Sequence, residues 1–180
     1  MKLYLAGPEV FHADAEALGR AKAALCARYG LEGLFPLDTA VLGAGLSPYE
    51  HGLAIYRADV AMMDACEAIV ANLTPFRGPH ADPGTAFELG YMRAQGKACL
   101  AYTAASGSLK ERLGAGARDS HGYAIEDFAM ADNLMLEGAV QATDGGTIAV
   151  PPTPPDGDPF WDFRAFEACL TRLATQVGGR

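Results

Sequence analysis

Two acidic residues, Asp82 and Glu88, lie where a Gly/Pro-rich loop passes into a predicted helix. The loop follows an apolar run over 68–71 that is typical of a buried parallel strand. Asp82-Pro83 predicts the helix start, because Asp accepts hydrogen bonds from the free N–H groups of the first turn and Pro suits its first position. Glu88 then falls less than about two turns into the helix. Both side chains can therefore lean toward the carboxyl ends of the strands, where open α/β sheets bind ligands.

Each of these acids also has a purely structural explanation. Asp82 is an N-cap whether or not it meets a ligand, and Glu88, between Phe87 and Leu89, fits a partly exposed helix face. The preceding loop favours the functional explanation, because long connections after a core strand are where binding and catalytic residues concentrate. The pattern makes both acids candidates for chemistry and leaves the structural interpretation open.

Three separated motifs, in one order along the chain, resemble the nucleoside 2-deoxyribosyltransferase family. The first is Leu-Tyr-Leu-Ala-Gly-Pro-Glu-Val-Phe over 3–11, and the second, over 71–91, contains Asp-Pro-Gly-Thr-Ala-Phe-Glu-Leu-Gly-Tyr. The third is Asp127-Phe128 followed by Asn133-Leu134-Met135. Three motifs in order are far more specific than any one of them. No Gly-x-Gly-x-x-Gly follows the first predicted strand, which argues against a dinucleotide site.

The resemblance implies a role for each matching residue. Tyr4, otherwise a packed core aromatic, orients a nucleophilic carboxylate. Asp59, otherwise a solvated residue at a helix edge, holds the nucleobase, with Asp64 and Glu67 as nearby alternatives for that role. Asn133 reaches the site of a neighbouring subunit and contacts a sugar hydroxyl, which implies a homo-oligomer (a dimer or a hexamer). The other expected substrate contacts are Gly7, Phe11, Gly84 and Met135.

If Asp59, Asp82 and Glu88 share one crevice, they are equipped to cleave a glycosidic bond with retention. Close carboxylates raise at least one pKa, so that one group stays protonated near neutral pH while another is ionised. One acid assists the leaving group while Glu88 attacks the anomeric carbon and forms a covalent deoxyribosyl intermediate. A second nucleobase then reverses the step. The predicted enzyme is a pentosyltransferase of nucleotide salvage that acts on nucleosides and free nucleobases and needs no metal or organic cofactor.

Two other functions remain open. A 2′-deoxynucleoside or deoxynucleotide N-glycosidase would use the same carboxylates with water as the acceptor, although an acid cluster repels phosphate and Asn133 suits a sugar hydroxyl better. Arg77 and Lys97 are the cations nearest to the motifs, and we interpret Arg77 as structural. A non-catalytic nucleotide-binding module of the same fold would bind its ligand without turnover. The preference for purine or pyrimidine depends on residues around 39–50 and is not readable from them.

Composition argues against several classes of partner. The 180 residues carry a formal net charge of −8, whereas binding nucleic acid or an anionic membrane needs a basic surface. No apolar run is long enough to span a bilayer, and a chain that begins directly with a strand leaves no room for a signal peptide. The four Cys lie far apart in apolar patterns, as expected of reduced residues in a cytoplasmic protein. No metal-ligand spacing relates the four His, which are His12, His51, His80 and His121.

The alternation of predicted strands and helices indicates an α/β protein with a buried parallel sheet and helices on both faces. The resemblance implies a flavodoxin-like, doubly wound sheet of five strands. We predict one domain over 1–180, with a Pro-rich connection at 151–159 before a C-terminal helix. Predicted strands cover 2–6, 31–35, 68–71, 97–103 and, as a short strand or a loop, 143–150. Predicted helices cover 13–29, 48–65, 83–95, 159–177 and a segment starting within 132–140. The segments 39–46 and 104–124 are expected to be irregular, with a helical turn at 109–113 within the second.

Overall fold

The structure is a computed structural model of the chain, and it describes residues 1–38, 45–144, 147–149 and 157–178. Most of the loop predicted over 39–46, and most of the Pro-rich connection predicted over 151–159, lie outside these ranges. Short 3-10 helices occupy Pro8–Phe11 and Pro36–Asp38. The strands and α-helices follow in the order β1 (Lys2–Ala6), α1 (Ala15–Arg28), β2 (Glu32–Leu34), α2 (Pro48–Ala65), β3 (Ala68–Asn72), α3 (Pro83–Ala94), β4 (Ala98–Thr103), α4 (Leu109–Arg112), α5 (Leu134–Asp144), β5 (Ile148–Ala149) and α6 (Arg164–Gly178).

The sheet is parallel throughout, with the strand order β2-β1-β3-β4-β5. This is the doubly wound order of flavodoxin-like proteins, in which the chain reverses direction across the sheet between β1 and β3. In the register of β3 with its neighbours, Ala71 pairs with Ala6 on one side and Ala101 on the other. The carboxyl ends of β1 and β3 therefore lie side by side at the position where such sheets bind ligands.

The fifth strand differs from the expectation. Four strands of three to six residues form the body of the sheet, and β5 is a two-residue segment that pairs only with Tyr102 and Thr103 at the end of β4. The sheet therefore consists of four full strands and a two-residue fifth strand at its edge. Val150, which the prediction included, lies outside the described residues.

Two apolar cores, one on each face of the sheet, hold the helices in place. Tyr4 and Ala6 point into the core covered by α2, α3 and α5, whereas Leu3 and Leu5 point into the core covered by α1 and α6. This follows from the alternation of side chains along a strand. The sequence pattern had indicated helices on both faces of a parallel sheet. All four cysteines are buried free thiols.

The last helix begins later than predicted. α6 starts at Arg164 rather than near 159, because Asp158 forms a turn in which its carboxylate and carbonyl accept the N–H groups of Phe160 and Trp161. From Arg164 onward the amphipathic pattern is as expected, and Phe166 and Leu170 are buried against the sheet. Within the described part of the chain, no helix is both long and apolar enough to cross a membrane.

Candidate active site

Tyr4 and Glu88 meet at the centre of the site. β1 directs Tyr4 into the core beneath α3, and its hydroxyl donates a hydrogen bond of 2.6 Å to Glu88 Oε1. Glu88 lies on the second turn of α3, on the side of the helix that faces β1. The strand alternation and the helix start were both predicted from the sequence. Together they place two residues that are 84 positions apart in the chain within one short hydrogen bond.

Asp82 is the N-cap of α3 and also reaches the site. Its Oδ2 accepts hydrogen bonds from the Thr85 backbone N–H at 2.9 Å and from the Thr85 hydroxyl at 3.3 Å. A Cβ at Gly84 would lie 2.9 Å from this same oxygen, so glycine leaves the carboxylate room. The structural and functional explanations of Asp82 are therefore compatible, because one carboxylate oxygen caps the helix while the side chain lines the cavity described next.

A cavity of about 300 Å³ opens at the carboxyl ends of the strands. Its polar wall contains three carboxyl groups, those of Asp59, Asp82 and Glu88, together with Thr85. The remaining wall is Gly7, Val10, Phe11, Pro36, Leu37, Ile55 and Gly84. A second cavity of about 240 Å³ adjoins it in the groove between α2 and α3 and shares Ile55, Asp59, Gly84 and Glu88 with it.

Asp59 is the acidic residue of α2 that lines the first cavity. Its Oδ1 is buried and has no hydrogen-bond partner among the described residues. The two alternatives face elsewhere, since Asp64 accepts hydrogen bonds from Tyr91 and Gln95, and the Glu67 carboxylate bonds the backbone N–H of Lys2. A buried carboxyl oxygen without a partner is costly unless a ligand or a proton satisfies it, which makes Asp59 the stronger candidate.

Burial raises the pKa values of two of these acids. The pKa of Glu88 rises to about 7, mainly because burial disfavours its charge; the Tyr4 hydrogen bond opposes this shift, and Asp59 and Asp82 add to it. The pKa of Asp59 rises to about 6 through burial. Burial, and then the charge of Glu88, raises the pKa of the Tyr4 hydroxyl, so Tyr4 remains a donor. Near neutral pH the site therefore holds both protonated and ionised carboxyl groups, as acid-assisted displacement needs.

Gly7 and Phe11, two of the expected substrate contacts, line the cavity, and Gly7 is constrained by a residue that sequence reasoning missed. A Cβ at Gly7 would collide with Oε2 of Glu9, which is 0% exposed. Glu9 Oε1 is bonded by Lys22 Nζ, by Asn72 Nδ2 at 2.8 Å and by the Tyr102 hydroxyl at 3.0 Å. This buried group, named here the Glu9 network, fixes the turn that follows β1. The signal that could have revealed it is a lysine on the otherwise apolar face of α1.

Phe11 belongs to an exposed aromatic stack at the cavity edge. Its ring stacks on Phe76 with centroids 5.2 Å apart, and the Arg77 guanidinium lies 5.0 Å and 4.6 Å from the two ring centres. Arg77 holds a left-handed backbone conformation, with φ of 54°. The contacts agree with a structural role for Arg77, because cation–π packing ties the loop after β3 to the turn after β1.

Asn133 and Met135 do not line the cavity of their own chain, whose wall is given above. Asn133 precedes α5, where its Oδ1 accepts the Met135 N–H at 3.0 Å and its amide donates to Glu126 at 3.2 Å. Met135 is 72% exposed. Their expected place in a neighbouring subunit's site stays a prediction. Within the described residues, no group of three or more His, Cys, Asp and Glu side chains is arranged to hold a metal ion.

These features define a flavodoxin-like α/β protein whose ligand crevice is lined by three carboxyl groups, one of them bonded by a buried tyrosine. The chain belongs to the nucleoside 2-deoxyribosyltransferase family, whose model matches residues 3–135. A 2-deoxyribosyltransferase from Leishmania mexicana is 37% identical and superimposes with a TM-score of 0.65, over 75% of this chain and 84% of that one. An uncharacterized protein of Schizosaccharomyces pombe is 34% identical, over 99% of this chain and 90% of its own.

The fold also agrees with that of a more distant structure. A 2-deoxyribosyltransferase from Bacillus psychrosaccharolyticus is 16% identical and superimposes with a TM-score of 0.54, over 88% of this chain and 93% of that one. At this identity the likeness concerns the fold alone. The family expected from the three sequence motifs is confirmed.

Proposed function

We propose that this protein exchanges the nucleobase of 2′-deoxynucleosides through a covalent deoxyribosyl–Glu88 intermediate, with retention at the anomeric carbon. The observation that carries the proposal is the 2.6 Å hydrogen bond from Tyr4 to Glu88 at a cavity that Asp59 and Asp82 also line. Membership of the family, and a relative named as a 2-deoxyribosyltransferase, support nucleosides and free nucleobases as the substrates.

In the first half-reaction the bond between C1′ and the base nitrogen breaks, and its electron pair goes to the base. A proton held by Asp59 or Asp82 moves to the base, so that the base leaves in neutral form. A Glu88 carboxylate oxygen attacks C1′ and forms an ester on the opposite face. Tyr4 holds Oε1 and leaves the other oxygen free to attack. The missing 2-hydroxyl favours this route, because positive charge develops at C1′ more easily without it.

Burial of Glu88 contributes to its reactivity. The same surroundings that raise its pKa to about 7 make its negative charge costly, and forming a neutral ester removes that charge. The Tyr4 hydrogen bond opposes the shift and keeps a fraction of Glu88 ionised near neutral pH. A site with this arrangement stabilises the spreading of charge in the transition state more than it stabilises the ground-state carboxylate.

The second half-reaction reverses the first with a different base. The incoming base loses a proton to Asp59 or Asp82 as its nitrogen attacks C1′, and the Glu88 carboxylate leaves. Water competes with the base for the intermediate, and a largely apolar wall that includes Val10, Leu37 and Ile55 limits its access. This wall favours transfer over hydrolysis.

Completion of the site by a second copy is part of the proposal. The segment around Asn133 carries exposed apolar side chains, namely those of Phe128, Leu134 and Met135. Exposed apolar groups in one segment favour contact with another protein surface. A homo-oligomer in which Asn133 meets the sugar of a neighbouring site accounts for these side chains.

The test is chromatography of pure protein with one 2′-deoxynucleoside and a different free base. A new deoxynucleoside that carries the second base supports transfer, and an unreacted ribonucleoside control supports the 2-deoxy requirement. Release of free base without an exchanged product would assign the protein to the N-glycosidases instead. No reaction with any nucleoside or nucleotide contradicts the enzymatic proposal.

A further inference from the structure

We propose that Asp132 is a positioning residue for this reaction: together with Arg112 it holds the segment that leads into Asp82 against the segment that carries Asn133. We name this pair the Arg112–Asp132 clamp. The inference rests on the proposed function, because it assigns to the clamp the placement of a proton-transferring carboxylate. It concerns two residues that neither the sequence motifs nor the cavity wall brought forward.

The carboxylate of Asp132 connects the two segments directly. Asp132 is 2% exposed, its Oδ2 accepts the backbone N–H of Ala81 at 2.8 Å, and its Oδ1 accepts the backbone N–H of Asn133 at 2.7 Å. The first donor immediately precedes Asp82. Each carboxylate oxygen therefore takes one backbone donor from one segment, and charge-assisted bonds of this kind are stronger than those of a neutral acceptor.

Arg112, at the end of α4, joins the same two segments through their carbonyl groups. Its Nε donates to Pro79 O at 3.0 Å, its Nη2 donates to Ala131 O, and Nη2 also lies 3.9 Å from Asp132 Oδ2. The Arg112 side chain is only 15% exposed. His80 adds a weaker contact, with Nδ1 3.4 Å from Asp132 Oδ1. One cation and one anion thus bind backbone donors and acceptors on both sides of the junction.

The clamp matters for Asp82 because that residue sits at the first position beyond it. The Ala81 N–H that Asp132 holds lies in the peptide plane between His80 and Ala81, so the bond fixes the backbone one residue before Asp82 and with it the position from which the chain enters Asp82. A small misplacement of a catalytic group costs up to about 100-fold in rate. The clamp therefore sets the geometry of proton transfer to the base, while Tyr4 sets the geometry of the nucleophile.

The experiment compares two donors in the Asp132→Asn protein. A 2′-deoxynucleoside such as 2′-deoxyadenosine needs a proton on its leaving base, whereas N7-methyl-2′-deoxyguanosine is already cationic and releases a neutral base without one. An asparagine of the same shape has one acceptor where the aspartate has two, so one segment is released. We expect kcat to fall by about tenfold or more with 2′-deoxyadenosine and by much less with the methylated donor, as for a misplaced general acid.

The matched control is Asp119→Asn. Asp119 also accepts two backbone N–H groups, those of His121 and Tyr123 at 2.9 Å, but both on Oδ1, so that its asparagine keeps both bonds, and in a turn that does not touch the clamp. Asp119→Asn should leave kcat unchanged with both nucleoside donors. Equal losses for the two donors in Asp132→Asn, or no loss with either, would overturn the positioning role.

A second readout does not depend on activity. Amide hydrogen exchange should accelerate in at least one of the peptides covering 76–85 and 128–137 in Asp132→Asn, and in neither in Asp119→Asn, because either the Ala81 or the Asn133 N–H group loses its acceptor. Unchanged exchange in both peptides overturns the clamp. If the wild-type protein does not exchange nucleobases, the proposed function is overturned instead. The amide hydrogen exchange rates then confirm or overturn the clamp by themselves.

Discussion

The hydroxyl of Tyr4 and the carboxylate of Glu88 form a 2.6 Å hydrogen bond that joins the first strand to the helix after the third. Tyr4 is fully buried, so its ring cannot follow Glu88 if the carboxylate rotates away. The bond therefore does two things: it selects one orientation of Glu88, and it stabilises the ionised form against the burial that raises the pKa of Glu88. Both effects can be tested separately.

The Tyr4→Phe substitution removes this hydrogen bond and keeps the ring that packs the core. We expect kcat for base exchange to fall by about 10- to 100-fold, because the carboxylate loses its fixed attacking geometry. The alkaline limb of the pH–rate profile should also move to higher pH, because the hydrogen bond lowers the pKa of Glu88, which is the higher of the two raised values. Steady-state kinetics across pH 5 to about 9 measures both.

The matched control for this substitution is Tyr102→Phe. Tyr102 is also buried and also donates to a glutamate, but on the opposite face of the sheet, where its hydroxyl bonds Glu9 at 3.0 Å. Tyr102→Phe should lower the free energy of unfolding and leave the pH–rate profile unchanged. Identical profiles for Tyr4→Phe and the wild type would show that the Tyr4 hydroxyl does not act on Glu88.

The covalent step predicts a protein adduct on Glu88. With a 2′-deoxynucleoside and no acceptor base, intact-protein mass spectrometry of rapidly quenched wild type should reveal one added deoxyribosyl group, and digestion should place it on the α3 peptide. Glu88→Gln should give no adduct and should lose base exchange by a factor of at least about 1000, as for the removal of a nucleophile. An adduct on another residue, or full exchange by Glu88→Gln, rules out Glu88 as the nucleophile.

The part of the site that was predictable from sequence is the part built from local rules. Period-two alternation placed Tyr4 on the opposite face from Leu3 and Leu5, and Asp82-Pro83 fixed the start of α3, which in turn fixed the side of the helix that bears Glu88. The family motifs then paired the two residues. The preference for Asp59 over Asp64 came from the family resemblance, and the geometry that supports it, an Oδ1 buried without a partner among the described residues, is a tertiary fact.

The parts that sequence did not reveal depend on contacts between distant segments. Glu9 gathers Lys22, Asn72 and Tyr102 from 13, 63 and 93 residues away, and although Lys22 lies on the apolar face of α1, nothing local identifies the residue that it pairs with. Asp132 was passed over for the same reason, because its donor Ala81 lies in the loop before α3, far from it in sequence. The start of α6 was misplaced, because the Asp158 turn that delays it competes with helix formation through side-chain hydrogen bonds.

The pH dependence of catalysis follows from the raised pKa values of the acid pair. With pKa values of about 7 for Glu88 and about 6 for Asp59, the pair holds both protons below the lower value and none above the higher. Attack needs an ionised carboxylate and departure of the base needs a proton. We therefore expect a bell-shaped profile of kcat/KM for base exchange with its maximum between these values, which belong to the pair rather than to either residue alone.

The Asp59→Asn substitution tests this assignment. It removes one titrating group, so the alkaline limb should disappear, and the remaining acid limb should follow Glu88 alone, at a pKa below about 7 because the Asp59 charge no longer raises it. Asp64→Asn is the control on the same helix, since Asp64 bonds Tyr91 and Gln95 outside the cavity. If the pH profile of kcat/KM stays bell-shaped in Asp59→Asn, the alkaline limb belongs to another group, and Asp82 is the next residue to examine.

The Glu9 network predicts a large loss of stability from one substitution, Lys22→Met. Lys22 is 1% exposed and supplies the only cation bonded to Glu9 among the described residues, so methionine leaves a buried carboxylate with only the neutral donors Asn72 and Tyr102. Breaking one side of a buried ion pair costs about 3–5 kcal/mol. Urea denaturation should show this loss in the free energy of unfolding. Arg20→Met, which removes an exposed i,i+4 partner of Glu16 on the same helix, should leave it nearly unchanged.

A double substitution separates the charge of the Glu9 network from its shape. In Glu9→Gln/Lys22→Met no buried charge remains, and the glutamine still accepts from Asn72 or Tyr102. We expect it to recover a substantial part of the stability lost in Lys22→Met, because replacing both members of a buried pair is far less costly than replacing one. If the double variant is as unstable as the sum of its single substitutions, packing of the lysine stem rather than the ion pair holds the turn after β1. That turn carries Gly7, so recovered stability should be accompanied by recovered binding of the nucleoside.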